Sequence, residues 1–142
     1  MKIQQADETW RNWSGSQHGC PEIFKPRKIY ELQNIVKSHA QIRAVGAGHS
    51  FSALVKTDEV LINLDRFKGV VAFDENRTQC TVQAGTRLYD LGEYLAPINQ
   101  ALPNQGDIDQ QSLAGAISTG THGTGIDLPC LSAFVEGFEL LT

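Results

Sequence analysis

The chain has 142 residues, a formal net charge of −4, 41% hydrophobic residues and 20% charged ones. That balance fits one soluble domain able to bury about two thirds of its unfolded surface. It excludes the basic footprint that nucleic acid requires. No apolar run approaches the roughly 20 residues that span a bilayer, and the opening Met1–Glu8 lacks the apolar segment of a secretory signal. Cys20, Cys80 and Cys130 are odd in number, far apart and without metal-ligand spacing, so free thiols in a reducing cytoplasm are expected.

Trp10-Arg11-Asn12-Trp13-Ser14-Gly15 is a turn-rich opening whose two tryptophans are expected to fill core. Pro26 opens a predicted helix with Ile29, Leu32, Ile35 and Val36 on one face. Ala44-Val45 ends a short strand that runs into a first glycine loop. Val60–Leu64, Val70–Phe73 and Cys80–Gln83 read as strands, the last two joined by the polar turn Asp74–Arg77. Thr86 is placed to cap a helix carrying Leu88, Leu91 and Leu95, and Ser112 to cap a second containing Leu113-Ala114-Gly115-Ala116-Ile117. Phe134–Leu141 reads as a final strand. The order is mixed and includes a β-hairpin, so the fold class is α+β rather than a regular βαβ alternation.

The first loop, Val45-Gly46-Ala47-Gly48-His49-Ser50-Phe51-Ser52, follows a strand, and Asp65 lies about 20 residues on, where a dinucleotide fold holds its ribose. Two features reject that fold. Phe51 stands in the third glycine position, and no helix fits between His49 and the strand at Val60. What the loop offers is backbone: Gly46 and Gly48 can take φ > 0 and turn N–H groups toward an anion, with Ser50 and Ser52 adding hydroxyls. The second loop, Ser118-Thr119-Gly120-Thr121-His122-Gly123-Thr124-Gly125, repeats the offer. The small residues Ala114, Gly115 and Ala116 before it allow close approach of a backbone or a flat ligand. Two such nests, both bare of Lys and Arg, point to a diphosphate held by backbone dipoles. His49 and His122 have no partner at metal-ligand spacing, so no metal is expected, and no nucleophile elbow supports a hydrolase. On the residues alone the reading ends at a phosphate-bearing cofactor.

Three blocks carry a specific likeness: Val45–Ser52, Gln83-Ala84-Gly85-Thr86, and the long run Ala101–Gly125. Through them the chain resembles the vanillyl-alcohol-oxidase/PCMH-type flavoproteins, and within these the sugar-1,4-lactone oxidases (gulonolactone, arabinonolactone) and alditol oxidases. The resemblance covers nearly the whole chain, Trp10 to Leu141. It implies FAD lying across two small α+β subdomains, with its pyrophosphate on Gly46, Ala47, Gly48, Ser50 and Phe51. His49 would be bonded covalently to the flavin 8α-methyl. Ser112, Gly115, Ala116, Ser118, Thr119, Gly120, His122 and Gly123 would hold the ADP portion. Gly106 would border the flavin, and Asp107 would lie on the substrate side. The implied chemistry is hydride transfer from a hydroxyl-bearing carbon of a sugar lactone or polyol to flavin N5, with O₂ as acceptor.

Members of this family are considerably longer and carry a cap domain that supplies substrate contacts. Residues 1–142 are therefore expected to be the N-terminal portion of an FAD-binding PCMH-type domain, with a C-terminal remainder of the enzyme elsewhere. Two competing readings are a reductase forming UDP-N-acetylmuramate, against which His49-Ser50 and the Gly-Thr-His-Gly-Thr-Gly run argue, and a binding module or fragment without turnover.

Overall fold

Val60-Leu61-Ile62 is an unbroken branched apolar run, the pattern of a strand covered on both faces. In the computed structural model, which describes residues 9–142, it forms β5 (Val60–Asn63), the centre of a three-stranded parallel sheet. Numbered in chain order, β1 is Trp10–Arg11, β2 is His18–Gly19, β3 is Glu22–Phe24 and β4 is Ile42–Val45. The sheet order is β3-β5-β4, with Glu22 and Ile42 both aligned on Val60 and Val45 aligned on Asn63. β1 and β2 form a small antiparallel pair of their own. Between β3 and β4 runs α1 (Ile29–Ser38), which half-buries Leu32, Ile35 and Val36 while Ile29 stays exposed. The helix starts three residues after Pro26. Lys28 has no capping group of its own, and the Glu31 carboxylate accepts the Arg27 N–H at 2.7 Å in its place.

The second half of the chain packs around a different core. α2 (Leu88–Leu95) buries Leu88, Leu91 and Leu95, as its spacing predicts, and α3 (Leu113–Ser118) adds Ala116. Leu88, Ala116 and Leu131 form the centre, with Leu102, Leu113, Ile117 and Phe134 around them. Thr86 does not cap α2; Arg87 occupies that position. The Thr86 hydroxyl turns inward instead, donating to the Gln83 carbonyl (2.7 Å) and accepting the Gly69 N–H (2.9 Å), which closes the turn before β6. Ser112 is the N-cap residue of α3, but its hydroxyl makes no cap bond. The predicted strand over 134–141 is not formed. Leu131–Phe134 is a 3₁₀ turn, the residues beyond it pair with no strand among the described residues, and Phe138 and Leu140 are 80% and 74% exposed. Apolar residues alone make no strand where the backbone finds no ladder partner.

β6 (Val70–Phe73) and β7 (Cys80–Val82) form the predicted hairpin. Its turn is organised by Asp74, which accepts the backbone N–H groups of Gln79 (2.6 Å), Thr78 (2.7 Å) and Asn76 (3.2 Å), with Arg77 left-handed at φ 55°. These donors, Gln79 foremost, hold the Asp74 carboxyl below its ordinary value. A carboxylate with a lowered folded pKa stabilises its turn above the unfolded value, and that contribution is lost as pH falls through the folded one. Protection factors of the Thr78 and Gln79 amides are therefore expected to drop on acidification through that range, and to be low at every pH in Asp74→Ala. Protection that is indifferent to both changes would show that the carboxylate does not hold the turn.

Candidate functional site

The strands β3, β4 and β5 run in the same direction, so their carboxyl ends meet at one edge, where ligands of open parallel sheets bind. The first glycine loop leaves that edge from Val45, and a hollow of about 260 Å³ lies against it. Arg11, Lys25, Val45, Gly46, Gly48 and Asn63 are among its lining residues. Sequence reading finds this loop bare of cations, and in the sequence it is; the fold brings Arg11 and Lys25 to it from the opening hairpin and the end of β3. No helix follows the loop before β5. Asp65 is held by Arg87 Nη2 at 2.7 Å and Asn63 Nδ2 at 3.0 Å, so it is committed to structure rather than to a ribose. Both findings agree with the rejection of a dinucleotide fold.

The two glycines of this loop serve different needs. Gly48 takes φ +69°, and its carbonyl accepts the Trp13 N–H at 2.8 Å. Gly46 does not adopt positive φ. It is required by proximity, because a Cβ there would lie 1.8 Å from Ser112 Oγ and 2.9 Å from Ser112 Cβ. The loop thus rests directly on the N-cap of α3. Beyond it, Ser50 and Ser52 bond to each other at 2.9 Å.

Further along, the loop borders a second hollow, of about 390 Å³, lined by Trp13, His49, Phe51, Gly106, Asp107, Ile108 and Gln111. Trp13 is 63% exposed and fills no core, against the expectation for the tryptophan pair. Its indole stacks on the His49 imidazole, with centroids 5.7 Å apart and planes 25° from parallel, and Phe51 meets it edge-on at 6.2 Å. His49 Nδ1 is buried without a hydrogen-bond partner. Asn12, which sequence reading passed over, is buried and accepts the Gln17 N–H while its amide donates to the Ser50 carbonyl (3.0 Å) and to Ser14 and Ser16. Nothing in an isolated Asn signals such a role.

The second loop lies against the same intervening segment, 104–112. A Cβ on Gly106 would touch Thr121 Cγ2 (3.1 Å) and the His122 carbonyl (3.4 Å), and one on Gly123 would collide with Asn104 and Gln105. Gln111 and Thr121 exchange side-chain hydrogen bonds. Gly120 takes φ +66°, Thr119 Oγ1 donates to the Gly115 carbonyl, Ser118 is exposed, and His122 is exposed with Nδ1 on the Gly123 carbonyl. Ala116 is fully buried with Leu88 and Leu131, so its place is the core and not a ligand surface. Leu113 N–H and Ala114 N–H already donate to the Thr86 and Ala84 carbonyls, which binds α3 to the 84–87 segment. No cluster able to hold a metal ion is found among the described residues, and none of the described helices is long and apolar enough to cross a membrane.

A family model described as FAD binding domain matches residues 21–142. The chain belongs to this family. Its cofactor is accordingly FAD, and the site fits that molecule: an aromatic-walled hollow with an unpartnered buried imidazole nitrogen adjoins a cation-lined one at a glycine loop. An L-gulono-1,4-lactone dehydrogenase of Mycobacterium tuberculosis is 39% identical over 138 residues, covering 94% of this chain and 32% of that protein. A D-arabinono-1,4-lactone oxidase of Kluyveromyces lactis is 44% identical over 124 residues, covering 81% and 24%. The chain thus spans about a quarter to about a third of the length of these relatives. Among solved structures, cholesterol oxidase from B. sterolicum superposes with a TM-score of 0.66 at 17% identity, over 82% of this chain and 24% of that one. An alkyldihydroxyacetonephosphate synthase gives 0.61 at 20% identity, over 69% and 20%. These structural likenesses establish the α+β fold of PCMH-type flavin domains.

Proposed function

We propose that this chain is the N-terminal, flavin-carrying portion of an FAD-dependent oxidoreductase acting on a sugar lactone or a related polyol. The observation that carries the reading is the pair of unlike hollows lined by successive residues of one loop, a polar one at Gly46–Gly48 and an aromatic one at His49 and Phe51. FAD has the same division, an anionic diphosphate joined to a flat ring with an apolar edge. In this reading the amides of Gly46, Ala47 and Gly48, with Arg11 and Lys25, neutralise the diphosphate. Trp13, Phe51 and Ile108 exclude water from the ring's apolar end, beside Gly106. The loop from Ser118 to Gly123, which packs on the 104–112 segment, is assigned to the nucleotide portion on the family resemblance, and Ser112 supports Gly46 from beneath. Asp107 borders the same hollow from the solvent side and is assigned to the substrate. When bound, the flavin supplies the hydride acceptor, and the protein supplies orientation and electrostatics.

The relatives' names support a 1,4-lactone as substrate, and their division between dehydrogenase and oxidase makes the electron acceptor the property to measure. Dioxygen is proposed here, with the residues that complete substrate binding in the remainder of a longer protein. Cys20, Cys80 and Cys130 are all free thiols, which supports a cytoplasmic setting.

Apoprotein of the full-length enzyme is expected to take up FAD in preference to NAD, and the reconstituted flavin to bleach anaerobically with an aldono-1,4-lactone and recover its colour in air. Equal or tighter binding of NAD would overturn the cofactor site. A flavin that no lactone or alditol bleaches would overturn the substrate assignment, and one that bleaches but does not recover in air would overturn dioxygen.

A further inference from the structure

We propose that Trp13 is a positioning residue that sets the plane of the His49 imidazole for bonding to the flavin, an inference that rests on the proposed FAD site and on the covalent role that the family resemblance implies for His49. The His49 ring has a buried Nδ1 with no hydrogen-bond partner, so the usual means of fixing a histidine's orientation is not used there. What does contact the ring is Trp13, nearly parallel to it at 25° with centroids 5.7 Å apart. An indole this exposed contributes little to folding, yet its backbone and its neighbour are pinned. Trp13 N–H donates to the Gly48 carbonyl at 2.8 Å, and the buried Asn12 amide donates to the Ser50 carbonyl at 3.0 Å. The opening hairpin thus grips the residues immediately before and after His49 and lays an aromatic plate on its ring. Phe51 meets the indole edge-on, with centroids 6.2 Å apart.

The attachment that this arrangement serves is an addition. A ring nitrogen of His49 bonds to the 8α-carbon, that carbon loses one hydrogen and the imidazole loses its N–H proton. Both protons and the electron pair of the broken C–H bond remain on the isoalloxazine, which ends reduced and is reoxidised by dioxygen. A nucleophile bound at its carbon but rotated out of line reacts slowly, since catalysis by orientation is lost with small misplacements.

The test uses full-length apoprotein mixed with saturating FAD in air, with flavin fluorescence on the denatured polypeptide followed over time. Trp13→Ala and Trp13→Leu are expected to slow the first-order attachment at least tenfold, and Trp13→Phe, which keeps an aromatic face, to stay within threefold of the unmodified protein. Saturating cofactor removes any change in affinity from the comparison. If Trp13→Ala does not fold, Trp13→Leu against Trp13→Phe decides. Leu attaching as fast as Phe, or both attaching at the unmodified rate, would overturn the positioning role while leaving covalent His49 intact. An unmodified protein with no denaturation-resistant flavin would overturn both.

Discussion

His49→Ala in the full-length protein is expected to convert a flavin that stays with the polypeptide through acid precipitation and denaturing electrophoresis into one that is wholly released. The expectation follows from three features at one residue. Gly48, at φ +69°, turns the chain so that His49 lines the aromatic hollow. The imidazole carries a buried nitrogen that no protein group occupies, and a neutral imidazole is a competent nucleophile toward an activated carbon. Noncovalent FAD should survive the substitution, because the glycine loop, Arg11 and Lys25 are untouched. Unmodified protein that loses all its yellow colour on denaturation would reduce His49 to a packing residue.

Gly46→Ala is expected to damage stability and FAD uptake together. The added methyl would fall 1.8 Å from Ser112 Oγ, and Ser112 is itself buried between the loop and the 84–87 segment. Overpacking of this kind costs about 1–3 kcal/mol, and relief by moving the loop displaces Gly48 and His49. Pairing it with Ser112→Gly removes both contacting atoms, so the double variant should recover most of the lost melting temperature. Such non-additivity is the signature of residues in direct contact. A single variant that melts and binds FAD like the unmodified protein would show that the loop does not rest on α3. A double variant no better than the single would place the damage elsewhere.

The elements with strong periodic or turn signals were legible in the sequence, whereas the capping signals at Thr86 and Ser112 were not realised as cap bonds. The face of α2, the β6–β7 hairpin with its Asp74 turn, the central strand β5 and the two glycine loops all stand where residue pattern alone puts them. What stayed hidden depends on pairs distant in sequence. Pattern could call Gly46 permissive, but only the fold shows that its neighbour is Ser112, 66 positions on. Thr86 looks like a cap because hydroxyls before helices usually are, yet a buried donor–acceptor pair with Gly69 and Gln83 uses its hydroxyl fully. Trp13 looks like core because tryptophan usually is, and here it stacks on His49 and remains exposed. Arg11 and Lys25 escape notice because a charge is placed beside a phosphate site by topology, not by local motif. The strand expected after Phe134 fails for the same reason in reverse, since apolar composition does not guarantee a partner.

The β3-β5-β4 order has a consequence for how the chain folds. Both outer strands precede in sequence the strand that joins them, and neither has another partner in the sheet among the described residues. β3 and β4 therefore depend on Val60–Asn63 for their pairing, and the joined sheet seals the side chains of Val60, Leu61 and Ile62. Non-local parallel pairing of this sort is slow, because the loop-closure entropy is met before any contact compensates it. The first glycine loop spans that closure, from the end of β4 to the start of β5. Both ends of the loop are thus fixed by the pairing of β4 with β5, which ties the placement of His49 to the formation of this sheet.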